Sequence, residues 1–198
     1  MPSFSSNYFD FFEINRKLSL NPDELQTKFY ELSRRWHPDR FSRKSTEEQT
    51  AALEATSLLN DGYRTLRDPV KRAEYLLKEE GFPIGEQRSK DVPPELLEEV
   101  FELNMTLEGL QGGDESARPQ LESARQNFVA LRDRVDQELT GLFNKYDAAE
   151  AASETAKQAL HEIRGVLNRR RYIENLVRDV DRALSPTLVA AESLEDRL

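Results

Sequence analysis

KFYELSRRWHPDRF, at residues 28–41, is the stretch that decides the fold of the first half of this chain. Apolar side chains recur in it and just before it at intervals of three or four residues: Leu25, Phe29, Leu32 and Trp36. This spacing predicts one amphipathic helix. Asn21 and Pro22 mark its beginning, since asparagine caps a helix and proline suits its first turn. Pro38 predicts its end, because a proline forces the preceding residue out of the helical conformation.

A second helix is expected after this turn, over about residues 46–67. Its inward positions also share helical spacing: Ala52, Thr56, Leu59, Tyr63 and Leu66. A capping box can begin this helix, formed either by Ser45 with Glu48 or by Thr46 with Gln49. Two amphipathic helices joined by a short, rigid turn predict an antiparallel hairpin.

The remainder of the chain carries three further amphipathic patterns. Their apolar positions begin at Leu96, Leu121 and Ala156 and continue at helical spacing, and no useful length of sequence alternates as a strand does. The predicted fold class is therefore all-α, a helical hairpin followed by a three-helix bundle. A segment rich in glycine and proline separates the two halves. The predicted division is a first domain at 1–79, a linker at 80–93, a second helical domain at 94–185 and a polar tail at 186–198.

Composition excludes several classes of function. The chain has no cysteine, which excludes disulfides, thiolate nucleophiles and thiolate-bound zinc or iron–sulfur clusters. Its two histidines, His37 and His161, have no carboxylate cluster beside them, so we expect no metal site, no cofactor and no catalytic residue. The net charge of −9 argues against a nucleic-acid partner, and the arginines at 169–171 are expected on a solvated helix surface. No apolar stretch is long enough to cross a membrane, and we expect a protein of the reducing cytoplasm.

The turn is also the centre of a resemblance to a known family. Residues 7–78 resemble a J-domain on three pieces of sequence: NYFDFF at 7–12, the opening stretch at 28–41 and LNDGYRTLRDP at 59–69. The resemblance implies two long antiparallel helices and a partner, an ATP-dependent chaperone of the DnaK type. It also implies that His37-Pro38-Asp39 and the basic face of the preceding helix dock on that chaperone and stimulate its ATP hydrolysis.

The charges around the tripeptide agree with a docking role. Residues 28–44 carry six basic and two acidic side chains, a local charge of +4 within an acidic chain. Such a patch steers association with an acidic surface, and salt weakens the attraction. Without the family resemblance, the same charges also fit a solvated helix face. The candidate chaperone-binding residues are His37, Pro38, Asp39, Lys28, Arg34, Arg35 and Arg40.

The first helix of the second domain has more apolar surface than one core stripe needs. Leu97, Phe101 and Met105 form a second row, rotated by about 100° from the row that contains Leu96 and Val100. Glutamates surround this second row. It is either a partner-binding patch or part of a wide buried stripe, and the spacing alone leaves both interpretations open.

The same region extends the resemblance to a narrower family. RAEYLL at 72–77, GF at 81–82 and LLEEVFEL at 96–103 are similar to HscB, the J-type co-chaperone family of iron–sulfur cluster biogenesis. So is the order of an N-terminal J-domain and a C-terminal three-helix domain. The resemblance implies that the C-terminal domain binds an IscU-type scaffold protein and delivers it to the chaperone HscA. The family's scaffold-contacting positions fall on Leu97, Phe101, Glu102, Met105 and Tyr172.

Two other functions stay open at this point. A general J-domain co-chaperone that serves a different client keeps the tripeptide but needs no scaffold patch. A binding module without a chaperone role needs neither feature.

Tyr172 lies one step off the apolar row of its helix, so we expect it at the boundary between core and solvent.

Overall fold

A computed structural model describes residues 7–82 and 93–185, and every regular element within these two ranges is a helix. The all-α fold class is therefore confirmed for the described part of the chain. Seven α-helices follow one another there: α1 (Tyr8–Phe11), α2 (Pro22–Trp36), α3 (Thr46–Leu66), α4 (Pro69–Glu79), α5 (Leu97–Gln111), α6 (Arg118–Ala148) and α7 (Glu154–Leu184). Short 3₁₀ turns occupy Pro38–Phe41, Pro94–Leu96 and Glu115–Ala117. No helix of the described residues is long and apolar enough to span a membrane.

The chain forms two compact units, each built from two segments. The first unit contains Met1–Ile84 and Leu139–Leu167, and the second contains Gly85–Glu138 and Asn168–Leu198. Each unit contains part of α6 and part of α7, so neither unit is one continuous stretch of sequence. The predicted domain boundaries stay predictions, because most of the linker and the whole predicted tail lie outside the described residues.

In the first unit, α2 and α3 form the hairpin that the sequence predicts. Asn21 caps α2, since its side chain accepts a hydrogen bond from the backbone N–H of Asp23 at 3.0 Å. The capping box of α3 is the one formed by Ser45 and Glu48, with bonds of 3.1 and 3.3 Å in the two directions. The hairpin core is large and apolar, and it includes Phe9, Phe12, Leu25, Leu32, Leu59 and Leu66.

Gly62 of α3 marks the closest approach of α1 to this hairpin. A Cβ atom at this position would lie 2.8 Å from the ring of Phe12 and 3.1 Å from the ring of Tyr8. Only a glycine lets the α1 aromatic rings pack this tightly against the α3 backbone. The two rings thereby hold α1 against α3.

The second unit is held by an apolar core and by ion pairs between α6 and α7. Its core includes Leu96, Val100, Leu103, Leu121, Phe128, Val135, Ile173, Val177 and Val180. Arg170 pairs with Asp136 at 2.5 Å, and Arg132 pairs with Glu174 at 3.7 Å. Arg125 also contacts Asp181. The α7 partner moves toward the end of its helix, from 170 to 174 to 181, as the α6 partner moves toward the beginning of its own, from 136 to 132 to 125, so these pairs establish that the two helices run antiparallel.

Candidate functional site

The His37-Pro38-Asp39 turn presents two polar side chains to solvent. His37 ends α2, and the 3₁₀ turn Pro38–Phe41 begins immediately after it. The backbone N–H of Asp39 donates to Nδ1 of His37 at 3.3 Å, which leaves Nε2 of the neutral imidazole to carry the proton. Nδ1 also lies 3.6 Å from Oδ2 of Asp39. The imidazole and the carboxylate therefore share one self-supported, solvent-facing turn.

Packing on both sides of the tripeptide makes this turn rigid. Trp36 and Phe41, which flank the turn, stack with ring centroids 5.9 Å apart and planes 10° apart. The Thr56 hydroxyl of α3 shares its one proton between the carbonyl oxygens of Ala52 at 2.8 Å and of Trp36 at 3.2 Å. The Ser42 hydroxyl donates to the carbonyl oxygen of Asp39 at 2.9 Å. The turn is thus pre-organised before any partner binds.

Arg34 and Arg40 come together at the end of α2. The Nη1 atom of Arg40 donates to the carbonyl oxygen of Arg34 at 3.1 Å, so the loop cation folds back against the helix. The Nε atom of Arg34 donates to the carbonyl oxygen of Tyr30 at 3.3 Å, and all three side chains are exposed. The helix and the loop therefore contribute to one basic surface beside the tripeptide.

Lys28 and Arg35, the other two predicted docking cations, share a contact that the sequence did not reveal. Nζ of Lys28 lies 3.5 Å from Oε2 of Glu13, and Nη1 of Arg35 lies 3.8 Å from Oε1 of the same glutamate. Lys28 and Arg35 are two helical turns apart on one face of α2. Glu13 is distant in sequence from this face, and no periodic signal in the sequence points to it.

The second candidate site is the apolar row on α5. Leu97, Phe101 and Met105 are 55%, 65% and 60% exposed, whereas Val100 and Leu103 of the same helix are buried. The row therefore faces solvent, and the interpretation as part of a wide buried stripe is wrong. The glutamates that accompany the row, Glu98, Glu99 and Glu102, are exposed as well.

A groove between α5 and α6 borders this row within the second unit. It has a volume of about 450 Å³, and Glu102 and Met105 line its α5 side. Gln120 and Asn127 line its α6 side, and Phe128 is also among its walls. The sequence did not indicate the α6 residues, because nothing in their spacing reveals which part of α6 comes to lie beside α5.

Tyr172 is more enclosed than its expected boundary position. Its side chain is 8% exposed, and burial raises the pKa of its hydroxyl above the ordinary value. The reason is that α7 buries a wider stripe than the predicted row, since Tyr172 and Leu176 are buried along with Ile173 and Val177. The expectation of a boundary position is therefore wrong, and a role for Tyr172 in scaffold binding stays a prediction.

The structure assigns no metal-binding role to the two histidines. Among residues 7–82 and 93–185, no group of three His, Cys, Asp or Glu side chains is arranged to hold a metal ion. His161 is an exposed residue of α7 whose ring meets that of Phe82 edge-on, with centroids 4.7 Å apart. His161 therefore acts as a packing residue at the helix surface.

Comparisons of the sequence with known proteins identify the family of this chain. Residues 7–75 match the DnaJ domain family model. The co-chaperone protein HscB homologues of three Neisseria meningitidis strains are each 30% identical to this chain over 179 residues, covering 90% of this chain and 99% of the relative.

Solved structures show the same similarity. The chaperone HscB from Vibrio cholerae aligns with a TM-score of 0.60 and 27% identity, covering 89% of this chain and 96% of that one. The human co-chaperone HscB aligns with a TM-score of 0.67 and 25% identity, covering 91% and 83%. A co-chaperone acts on the ATPase of its partner and is not itself an enzyme, and a J-domain implies a partner of the Hsp70 type. The chain belongs to the HscB family of J-domain co-chaperones.

Proposed function

We propose that this co-chaperone binds an IscU-type iron–sulfur scaffold protein through α5 and delivers it to an HscA/DnaK-type chaperone. The His37-Pro38-Asp39 turn stimulates the ATPase of that chaperone. ATP is hydrolysed by the partner, and this chain contributes no catalytic residue and no cofactor. The reducing cytoplasm, where an iron–sulfur assembly factor meets its partners, is the proposed location. Neither a nucleic acid nor a membrane has a part in this function.

The observation that carries the scaffold half of the proposal is the exposed row on α5. Leu97, Phe101 and Met105 lie four residues apart, so they form one continuous apolar strip on a helix. Covering the exposed part of one such side chain contributes about 1–2 kcal/mol. The strip is therefore large enough to anchor a protein partner, and exposed apolar strips of this kind are typical of interaction sites.

The polar side chains around the strip define the kind of partner surface that fits. Residues 91–117 contain eight acidic side chains and no lysine or arginine. Glu99 and Glu102 line the groove between α5 and α6 together with Met105. A scaffold surface that presents apolar side chains with basic side chains beside them satisfies both features. Tyr172, because it is buried, contributes by supporting this unit or through an edge of its ring.

The observation that supports the chaperone half is the rigid, exposed tripeptide beside Arg34 and Arg40. The His37 imidazole and the Asp39 carboxylate are both exposed, so both can form hydrogen bonds with a partner. The basic surface and the acidic α5 have opposite charge. Two different partners can therefore be recognised at the same time without competing for one site.

A general J-domain co-chaperone for a different client protein is the alternative. It shares the tripeptide and the basic surface, so measurements on the chaperone alone do not separate the two functions. The exposed row on α5 favours the scaffold, because a general co-chaperone needs no apolar strip at this point.

A coupled ATPase assay tests the proposal as a whole. The rate of ATP hydrolysis by the chaperone is measured with this chain alone, with the scaffold alone, and with both together. We expect stimulation by the chain alone and a further increase when both are present. If the scaffold adds nothing at any concentration, the client is a different protein and the general J-domain function is the correct one.

A further inference from the structure

Glu13 occupies a backbone position that suits glycine. It follows the last turn of α1 with a φ of 55°. The backbone N–H of Ile14 donates to the carbonyl oxygen of Phe9 at 3.0 Å, and the N–H of Glu13 donates to that of Asp10 at 3.1 Å. This is the pair of hydrogen bonds of a Schellman motif, with Glu13 at the left-handed position that is usually glycine.

Local stability does not explain a glutamate there. A side chain in the left-handed region is strained, and glycine relieves this strain without losing either backbone hydrogen bond. The ion pairs of its carboxylate with Lys28 and Arg35 lie at the surface, and surface pairs contribute little to folding. Glu13 therefore has a reason to be present other than the termination of α1.

The contacts of the carboxylate indicate that reason. Its two oxygens reach different cations, Oε2 facing Lys28 at 3.5 Å and Oε1 facing Arg35 at 3.8 Å. Both cations are among the candidate chaperone-binding residues of α2, beside the basic surface that Arg34 and Arg40 form. Glu13 thus stands where an acidic side chain of a partner would stand, and it neutralises one unit of positive charge on that surface.

We propose that Glu13 sets the affinity of the basic surface for the chaperone, as an internal carboxylate that the partner's acidic side chains must displace. This inference rests on the proposed docking of α2. The displacement has two consequences. A partner with one isolated acidic residue gains little binding free energy, because that residue only replaces Glu13. A partner with several acidic residues in register with Lys28, Arg34 and Arg35 gains the most. The glutamate therefore lowers affinity and sharpens selectivity.

The test compares Glu13→Gln with the unchanged chain in stimulation of an HscA/DnaK-type ATPase. Glutamine has the same side-chain length as glutamate and is equally strained in the left-handed region, but it carries no charge. Glu54→Gln, at an exposed position on α3 that is paired with neither Lys28 nor Arg35, changes the net charge equally and is the matched control. Glu13→Gly, which suits the φ of 55°, serves as a second variant if glutamine impairs folding.

We expect Glu13→Gln to lower the concentration of this chain that gives half-maximal stimulation of the ATPase, the half-saturating concentration, about two- to fivefold at low ionic strength. The maximal rate of ATP hydrolysis should not change. The difference disappears at about 0.5 M salt, because screening removes the competing ion pairs. Glu54→Gln leaves the half-saturating concentration unchanged. A merely structural role for Glu13 would alter the maximal rate or the folded fraction, and neither depends on salt in this way.

Three results overturn the inference. In the first, Glu13→Gln leaves the half-saturating concentration as it is. In the second, it raises that concentration, which shows that Glu13 orients the cations for binding. In the third, Glu54→Gln has the same effect, which reduces the result to net charge. Failure of the proposed function has a different signature. In that case the unchanged chain does not stimulate the ATPase, or it stimulates the ATPase no more than His37→Gln does.

Discussion

Arg72 donates two hydrogen bonds to the carbonyl oxygen of Leu18, from Nε at 2.9 Å and from Nη2 at 2.7 Å. Its Nη1 atom also donates to the carbonyl oxygen of Leu66. The guanidinium group is buried, and desolvation lowers its pKa, while the negative charges of Asp147 and Asp68 act in the opposite direction. Arg72 therefore joins α4, the end of α3 and the loop before α2 from inside the first unit.

Replacing Arg72 is expected to destabilise the protein strongly. Arg72→Leu leaves the carbonyl oxygens of Leu18 and Leu66 without these donors in a buried site, and we expect a loss of about 2–4 kcal/mol in the free energy of unfolding. Urea unfolding followed by circular dichroism measures this loss. Lys71→Ala, at the exposed neighbouring position, is the control and should change the value by less than about 0.5 kcal/mol. Equal effects of the two variants would show that the Arg72 hydrogen bonds contribute nothing.

Asp147 also holds this loop in place. Its carboxylate accepts hydrogen bonds from the backbone N–H of Leu18 at 2.8 Å and of Ser19 at 2.7 Å. Asp147→Ala removes both acceptors, so we expect hydrogen exchange at the Leu18 and Ser19 amides to become about tenfold faster. The amides of α3 serve as an internal reference and should keep their protection. Unchanged exchange at both loop amides would contradict this description of the loop.

Variants of the His37-Pro38-Asp39 turn should lose ATPase stimulation without losing stability. His37→Gln and Asp39→Asn both alter exposed side chains, so the melting temperature should change by less than about 2 °C. We expect either variant to abolish stimulation of the chaperone ATPase, because the turn can no longer present the imidazole and the carboxylate together. Binding of the scaffold should be unaffected. Stimulation that survives in both variants would show that the turn is not the ATPase-stimulating element.

Tyr172 requires a pair of variants because it is buried. Tyr172→Ala creates a cavity in the second unit, and we expect it to reduce the free energy of unfolding by about 3 kcal/mol. Tyr172→Phe keeps the ring and should leave stability nearly unchanged. If Tyr172 acts by supporting the fold, Tyr172→Phe binds the scaffold normally, which titration calorimetry measures. A marked loss of affinity in Tyr172→Phe would instead indicate direct contact through the hydroxyl.

Local features of the fold were predictable from the sequence because their causes are local. The Asn21 cap and the end of α2 at His37 depend on residues within a few positions of each other. The capping box of α3 is equally local, although the sequence left two residue pairs open and the structure selects Ser45 with Glu48. The rotation between the two apolar rows of α5 follows from helix geometry alone. Which row is buried does not, since this depends on where the other helices of the second unit lie.

Long-range contacts were not predictable because no period relates their partners. Leu18 and Asp147 are 129 residues apart in the chain, and the contacts of Glu13 with Lys28 and Arg35 depend on how α1 packs on the hairpin. The arginines at 169–171 illustrate the same limit. They were expected on a solvated surface, yet Arg169 contacts Glu138 and lies 3.4 Å from Glu95, while Arg170 pairs with Asp136. The acidic partners stand on other elements of the second unit, which the sequence of α7 does not reveal.

The central claim is that the exposed row on α5 binds the scaffold protein, and calorimetric titration with an IscU-type scaffold tests it most directly. We predict saturable binding by the unchanged chain and a loss of affinity of about 100-fold or more when Leu97, Phe101 and Met105 are all replaced by alanine. Leu53→Ala is the matched control, because Leu53 is 60% exposed on α3, outside the row. It should bind as the unchanged chain does. Equal affinity of the triple variant and the unchanged chain, at equal helicity, would contradict the claim.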